Sequence, residues 1–202
     1  SRAYEFDARG YNILLIDQRG AGDSQGQYCT YGGKESQDLL IWISYLVNKI
    51  PDVKICLYGL SMGAATVMMS CAYHLDEHVK CIIEESGYAT LKDEFDHFIK
   101  SQSSLVYTYP VLKMVERKLK ELTGMCYEDI QPKKCLENNE VPILFAHGDN
   151  DETVPFVNAK ILYNHNKGVK KYYPISGGGH SNGDTFPHYF DHLTGFIETY
   201  MD

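Results

Sequence analysis

The residues of this 202-residue chain best suited to chemistry are a serine between two glycines of a short motif, a histidine that follows three glycines, and two aspartates in one loop. The serine is the centre of a G-x-S-x-G motif, Gly59-Leu60-Ser61-Met62-Gly63. A serine hydroxyl is a weak nucleophile, and it attacks a carbonyl carbon only when a neighbouring base removes its proton. The motif therefore predicts acyl-transfer chemistry with Ser61 as the nucleophile.

The base and the acid that this chemistry needs lie much further along the chain. His180 follows three consecutive glycines, which free the backbone to bring an imidazole to the edge of a sheet. Asp149 and Asp151 lie in the loop that begins at His147. A third group must hold the tautomer of the imidazole, and from the residues alone either aspartate could do so.

The elements that must position these residues are predicted from the hydrophobic pattern. Short apolar runs bounded by turn residues predict strands at 11–16, 54–58, 79–84, 142–146 and 171–175. Apolar residues at helical spacing and helix-forming composition predict helices at 34–49, 61–74, 156–165 and 186–201. This alternation indicates an α/β fold, a mostly parallel sheet with helices on both faces.

A parallel sheet also explains how three distant residues could meet. The loops that follow its strands emerge at one edge, so Ser61, Asp151 and His180 should converge there. A strand-to-helix turn at Ser61 would place it at the N-terminal end of a helix, where backbone N–H groups favour negative charge. The backbone N–H of Met62 is therefore the predicted oxyanion donor.

Residues 86–140 interrupt the alternation of strands and helices. Structureless loops longer than about 15 residues are uncommon inside a compact domain, and helix-like runs occur at 91–99 and 111–122. We therefore expect one domain, residues 1–202, with a core formed by 1–85 and 141–202 and a helical lid at 86–140. Glu85 and Tyr88, where the lid begins, are the candidate pocket residues, and Glu84 or Glu85 could receive a substrate amine.

Composition and charge exclude several classes of partner. The formal charge of −8 and the pI near 5.4 argue against nucleic acid, which needs clustered basic residues. No apolar run reaches the roughly 18 residues that span a bilayer, and residues 1–10 carry no signal-peptide pattern. We expect a cytoplasmic protein, without nucleic acid or membrane as a partner, that acts on a small ester or a short peptide.

One motif favours metal chemistry instead. His74-Leu75-Asp76-Glu77-His78 has the letters of an H-x-x-E-H zinc motif. The first histidine ends a predicted helix and the second abuts a predicted strand, so their imidazoles need not share a helical face. We expect neither a metal nor a cofactor.

Two further loops carry a family resemblance. Asp17 to Ser24 resembles the D-x-R-G-x-G-x-S loop of α/β-hydrolases, and His147 to Asp151 with Val154-Pro155 resembles their H-G-x-x-D-x-x-V-P loop. The order serine, aspartate, histidine is also theirs. The chain is most similar to bacterial hydrolases described as peptidase S9-like, serine aminopeptidase-like or cinnamoyl-esterase-like. The resemblance implies that Asp151 is the acid and that Asp149 is a turn residue.

The resemblance also implies that the N-terminal part of the family fold is absent. Family members begin with further strands and an H-G-G-like loop that supplies a second oxyanion N–H, and one missing strand lies between those at 11–17 and 54–58. We expect a gap in the sheet there, filled by another segment of the protein or by a partner chain such as a second copy. Loss of one oxyanion donor typically lowers turnover about 10²- to 10³-fold, so we expect impaired activity.

Three functions follow from the residues and the resemblance. Hydrolysis of carboxylic esters through an acyl-enzyme is the leading prediction. Peptide hydrolysis by the same side chains is the second, because this machinery cleaves amides once the leaving amine is protonated. A catalytically silent binding protein with the hydrolase fold is the third.

Overall fold

The centre of the protein is a four-stranded sheet in which every neighbouring pair of strands is parallel. The computed structural model describes residues 1–102 and 107–201. The strands, in spatial order, are β1 (Ile55–Leu60), β2 (Val79–Glu85), β3 (Ile143–Gly148) and β4 (Lys170–Ile175). Each begins and ends within two residues of a predicted strand, and the predicted α/β fold is confirmed.

Helices cover both faces of this sheet. The α-helices are α1 (Arg2–Asp7), α2 (Glu35–Lys49), α3 (Met62–Ser70), α4 (Leu91–Gln102), α5 (Thr108–Thr123), α6 (Pro132–Cys135), α7 (Val157–His165) and α8 (Tyr189–Met201). Short 3₁₀ helices occur at Tyr127–Asp129, Leu136–Asn138 and Gly183–Thr185. None of the helices in the described part of the chain is long and apolar enough to cross a bilayer.

Helices α4 and α5 lie where the sequence predicts a helical lid at 86–140. They agree with the helix-like runs at 91–99 and 111–122 and extend a little beyond them. Residues 103–106 of the predicted lid lie outside the described residues. An apolar cluster joins the two helices to the body, and its buried members include Leu91, Leu112 and Ile130.

The core has two layers, one on each face of the sheet. Successive residues of β2 point to opposite faces, so Ile82 packs with α3 and α7 while Ile83 packs with α8. Ile143 and Leu144 of β3 divide in the same way, and all four side chains have no exposed surface. Burial on both faces explains why these strands appear in the sequence as continuous apolar runs.

The prediction of a strand at 11–16 is wrong. Residues 11–18 form no strand, and Leu15 is 76% exposed. A strand requires a hydrogen-bonded neighbour, and an open groove of about 970 Å³ separates this segment from the edge of β1. The residues that line the groove include Leu14 to Gln18 and Tyr58 to Leu60. An apolar run predicts burial, but it cannot provide the partner that makes an extended segment a strand.

Candidate active site

Ser61 occupies a strained turn between β1 and α3. Its φ of 55° is positive, a region that non-glycine residues rarely adopt and that costs about 1–3 kcal/mol. The chain turns so tightly that a Cβ atom on Gly59 would lie 2.2 Å from the carbonyl oxygen of Gly63. Glycine is therefore required at position 59. A Cβ on Gly63 meets no described atom within 4 Å, so close passage does not explain that glycine.

Two hydrogen bonds hold this turn in place. The N–H of Ser61 donates to the carbonyl oxygen of Glu85 at 2.8 Å, and the Ser61 carbonyl accepts from the N–H of Ala65 at 3.1 Å. Met62 is the first residue of α3, so its N–H belongs to the helix terminus that has no preceding helical carbonyl. The N–H of Met62 is thus the backbone donor that directly follows Ser61 in the chain.

The structure brings Ser61, His180 and Asp151 into one chain of hydrogen bonds. His180 Nε2 lies 3.0 Å from Ser61 Oγ, and His180 Nδ1 lies 2.8 Å from Asp151 Oδ2. The serine follows β1, the aspartate follows β3 and the histidine follows β4, all at the carboxyl edge of the sheet. The imidazole can thus accept the serine proton at one nitrogen while the carboxylate fixes the other.

Close packing of two backbones brings the aspartate loop to the histidine loop. A Cβ on Gly148 would lie 2.3 Å from the carbonyl oxygen of Gly178, so only glycine fits at the end of β3. The Gly178 carbonyl accepts from the N–H of Asn150 at 2.8 Å. The exposed Asp149 carboxylate accepts from the N–H of Gly177 at 2.7 Å and braces the same contact.

Asp151 is buried and accepts several hydrogen bonds. Its Oδ1 accepts from the N–H groups of Thr153 and Val154, both at 2.9 Å. Burial by itself would raise the pKa of Asp151, but the bonds from His147, His180 and Val154 outweigh it and hold the pKa well below its ordinary value. Asp151 is therefore an ionised carboxylate, as the partner of an imidazolium should be.

His147 is a site residue that sequence reasoning did not single out. It is fully buried, and its Nε2 lies 2.8 Å from the carbonyl oxygen of Val154 and 3.3 Å from Asp151 Oδ2. The side chain therefore fixes the loop that presents Asp151. In the sequence, His147 is visible as the first residue of the H-G-x-x-D motif. The motif does not show which groups the side chain contacts.

Glu94 is a second site residue that sequence reasoning did not single out, and it belongs to helix α4, within the segment where the sequence predicts a lid. Its Oε2 is buried and has no hydrogen-bond partner in the described part of the chain. Burial raises the pKa of Glu94 to about 7, while His97 and His180 lower it and Asp151 raises it further. The helix is held over the Asp151 loop by His97, whose Nε2 lies 2.8 Å from the carbonyl oxygen of Glu152. Nothing in the local sequence indicates this placement.

The structure buries both candidate pocket residues. Glu85 is 1% exposed, and its Oε2 accepts from the hydroxyl groups of Tyr58 and Tyr189, both at 2.5 Å. Tyr88 is 3% exposed and donates to the carbonyl oxygen of Tyr31 at 2.6 Å. Both side chains are thus engaged within the protein and do not present a free polar group to a substrate.

Glu84, the other acid at the end of β2, is buried on the opposite face of that strand. Its Oε2 accepts from the N–H of Gly87 at 3.1 Å, and its Oε1 has no partner among the described residues. Burial raises the pKa of Glu84 from its ordinary 4.5 to about 7, although the nearby His147 lowers it. Between about pH 4.5 and 7 the folded protein therefore holds a proton here that the unfolded chain would release.

The H-x-x-E-H histidines do not form a cluster of ligands. His78 Nδ1 lies 2.5 Å from Asp76 Oδ1, and its Nε2 lies 2.8 Å from the carbonyl oxygen of Pro51. Within residues 1–102 and 107–201, no three His, Cys, Asp or Glu side chains are arranged to hold a metal ion.

A protein-family model and several curated proteins match this chain. The model of the prolyl oligopeptidase family matches residues 1–202. The uncharacterised protein YqkD of Bacillus subtilis is 27% identical over 173 residues, which are 85% of this chain and 56% of that protein. The chain spans 41% to 61% of the length of the curated relatives that it matches.

Two solved structures show the same fold. The esterase Pf2001 of Pyrococcus furiosus superposes with a TM-score of 0.77 at 22% identity, covering 96% of this chain and 73% of that one. The acylaminoacyl peptidase of Pyrococcus horikoshii superposes with a TM-score of 0.62 at 17% identity, covering 85% and 28%.

The raised pKa of Glu84 predicts how stability depends on pH. Between about pH 4.5 and 7 the folded state binds more protons than the unfolded state, so the free energy of unfolding should fall as the pH rises. Glu84→Gln should flatten this fall. Urea unfolding at several pH values measures it. Exchange of the exposed Glu77 for Gln is the control and should keep the wild-type slope. Equal slopes in wild type and Glu84→Gln would contradict the prediction.

Proposed function

The chain belongs to the prolyl oligopeptidase family, and from that premise we propose that it is a serine hydrolase that cleaves carboxylic esters through an acyl-enzyme. The observation that carries the proposal is the unbroken contact from Ser61 Oγ through His180 to Asp151, at 3.0 and 2.8 Å. The esterase Pf2001 supports the proposal, because that enzyme has the same fold as this chain.

The first half of the proposed reaction transfers the acyl group to Ser61. His180 Nε2 takes the proton of Ser61 as Oγ attacks the acyl carbon, and the negative charge forms on the former carbonyl oxygen. The N–H of Met62 donates to that oxygen. His180 then gives the proton to the departing alcohol, which leaves Ser61 acylated.

Water completes the cycle by the same path. His180 takes a proton from a water molecule, whose oxygen attacks the acyl-enzyme, and then returns the proton to Ser61 as the acid leaves. Asp151 remains ionised and stabilises the imidazolium in both halves of the reaction. Acyl-transfer sites ordinarily present two N–H donors to the oxyanion. Of these we assign one, the N–H of Met62.

Glu94 favours a second candidate, a peptidase that recognises a free amine. A buried carboxyl oxygen without a partner is costly, and a bound ammonium group would supply the partner that the described residues lack. The side chain lies near His180 and Asp151, so a cation bound there would be next to the reacting atoms. The fold shared with an acylaminoacyl peptidase supports peptide hydrolysis but not recognition of a free amine, because the amine in that name is acylated.

A fluorophosphonate probe tests whether Ser61 is an activated nucleophile. The wild-type full chain should be labelled, because His180 removes the serine proton, and Ser61→Ala should not be labelled. Intact-mass spectrometry measures the label. Ser44→Ala, which removes an exposed serine on α2, is the control and should be labelled normally. Labelling that persists in Ser61→Ala would contradict the assignment, and an unlabelled wild type would favour the silent binding protein.

Two neighbouring aspartates provide a matched test of the acid. Asp151→Asn should lower kcat about 10³- to 10⁴-fold, because an amide cannot hold the imidazole in the required tautomer. Asp149→Asn should cost at most about tenfold, because Asp149 bonds a backbone N–H and not the imidazole. Hydrolysis of a short-chain nitrophenyl ester measures both. A larger loss in Asp149→Asn than in Asp151→Asn would overturn the assignment.

Substrate charge separates the two candidates. If the peptidase candidate holds, Glu94→Gln should lower kcat/KM for aminoacyl nitroanilides at least about tenfold, since a charged hydrogen bond contributes about 1.5–3 kcal/mol. Its kcat/KM for neutral nitrophenyl esters should change less than about threefold. Asp93→Asn is the control, because Asp93 also lies on α4 but accepts a hydrogen bond from the Thr90 hydroxyl. The amine-binding role would be rejected if the wild type does not hydrolyse the anilides. It would also be rejected if Glu94→Gln lowers kcat/KM equally for both substrates.

A further inference from the structure

The buried carboxylate of Glu85 is the centre of a polar network on the face of the sheet that carries α8. Its Oε2 accepts from Tyr58 and Tyr189, and its Oε1 forms an ion pair with Arg2 Nη2 at 3.0 Å. The Arg2 side chain is 17% exposed, and its Nε also donates to the Tyr189 hydroxyl at 3.2 Å. A buried carboxylate with this many donors holds its position firmly.

The same guanidinium reaches the loop that carries His180. Arg2 Nη2 donates to the carbonyl oxygen of Ser181 at 3.0 Å and lies 3.3 Å from Asp184 Oδ1. Ser181 directly follows His180, and its φ of 61° is in the left-handed region that a serine rarely adopts. A strained residue of this kind persists only when its surroundings hold it. Arg2 is one of the groups that hold it.

The loop has a specific need for such an anchor. Three glycines precede His180, and they leave the backbone free to adopt many conformations. The imidazole itself contacts only the reacting serine and Asp151 within the described hydrogen bonds. The backbone on the far side of the histidine therefore depends on contacts such as that between Arg2 and Ser181.

Glu85 also fixes the nucleophile through its backbone. Its carbonyl oxygen accepts from the N–H of Ser61 at 2.8 Å. One residue thus connects to both partners of the proton transfer, to Ser61 through its main chain and to the His180 loop through Arg2. The path from Ser61 N to Glu85, to Arg2 and to Ser181 O is independent of the path through Asp151.

We propose that Arg2 and Glu85 are positioning residues that set the distance between Ser61 Oγ and His180 Nε2 by tying the histidine loop to the end of β2. The inference rests on the proposed function, because it assigns these residues to the proton transfer between that pair. Neither side chain touches the reacting atoms. Misplacement of a reacting group by about 1 Å can cost about 10²-fold in rate, so the anchor should act on kcat.

The test compares Arg2→Met with Arg9→Met in the full chain. Arg9 is the matched control, because it pairs with Glu5 and lies over the Phe190 ring at 4.8 Å but contacts no part of the loop. Arg2→Met should lower kcat for a nitrophenyl ester about tenfold to hundredfold, with KM changed less than about twofold. Arg9→Met should match wild type. Equal kcat in the two variants would overturn the proposal.

Two further variants keep the test decisive if Arg2→Met does not fold. Arg2→Lys retains the charge beside Glu85 but lacks the planar fork that reaches Glu85, Tyr189 and the Ser181 carbonyl together. It should fold and still lose at least about tenfold in kcat. In Arg2→Ala, added guanidinium at low millimolar concentration should raise kcat saturably, and sodium chloride should not. Wild-type kcat in Arg2→Lys, or no response to guanidinium, would contradict the positioning role.

Hydrogen exchange separates a failure of this proposal from a failure of the proposed function. The amides of residues 177–183 should exchange faster in Arg2→Met than in Arg9→Met, whether or not the protein hydrolyses esters. Faster exchange in Arg2→Met, together with a wild type that the fluorophosphonate probe does not label, would keep the anchor and reject the enzyme. Unchanged exchange in Arg2→Met, together with a wild type that is labelled and active, would reject the anchor alone.

Discussion

The contact between the backbones of Gly148 and Gly178 is the constraint on which the rest of the site depends. It lets the loop after β3 lie directly against the loop after β4, with the N–H of Asn150 bonded to the Gly178 carbonyl. The acid and the imidazole therefore come from two loops that support each other. Any side chain at position 148 would separate them, since its Cβ would overlap the Gly178 carbonyl oxygen.

The end of β2 has a corresponding role for Ser61, the proposed nucleophile, and for the far side of the histidine loop. Ser61 and Ser181 both have positive φ angles, and hydrogen bonds to Glu85 and Arg2 compensate for that strain. Strain of this kind needs a rigid support, and the buried parallel strands provide one. The residues that the chemistry needs therefore lie in loops whose bases are fixed by the interior of the sheet.

Environment assigns different tasks to chemically similar acids in this protein. Asp151 is held ionised because the hydrogen bonds that it accepts outweigh its burial. Burial dominates at Glu84 and Glu94, and it raises the pKa of each to about 7. Glu85 is as buried as Glu84, but a cation and two tyrosine hydroxyl groups bind its oxygens. Position in the fold decides which acid can orient an imidazole, hold a proton or anchor a loop.

The sequence by itself determined the strands β1 to β4, the turn at Ser61 and the sheet edge at which distant loops meet. These features depend on periodicity and turn residues, which act within a few residues along the chain. Tertiary structure alone decided that residues 11–18 form no strand, that Glu85 and Tyr88 are buried, and that His147, Glu94 and Arg2 surround the site. The reason is physical: hydrogen-bond partners and burial are set by groups far away in the sequence, and local patterns carry no record of them.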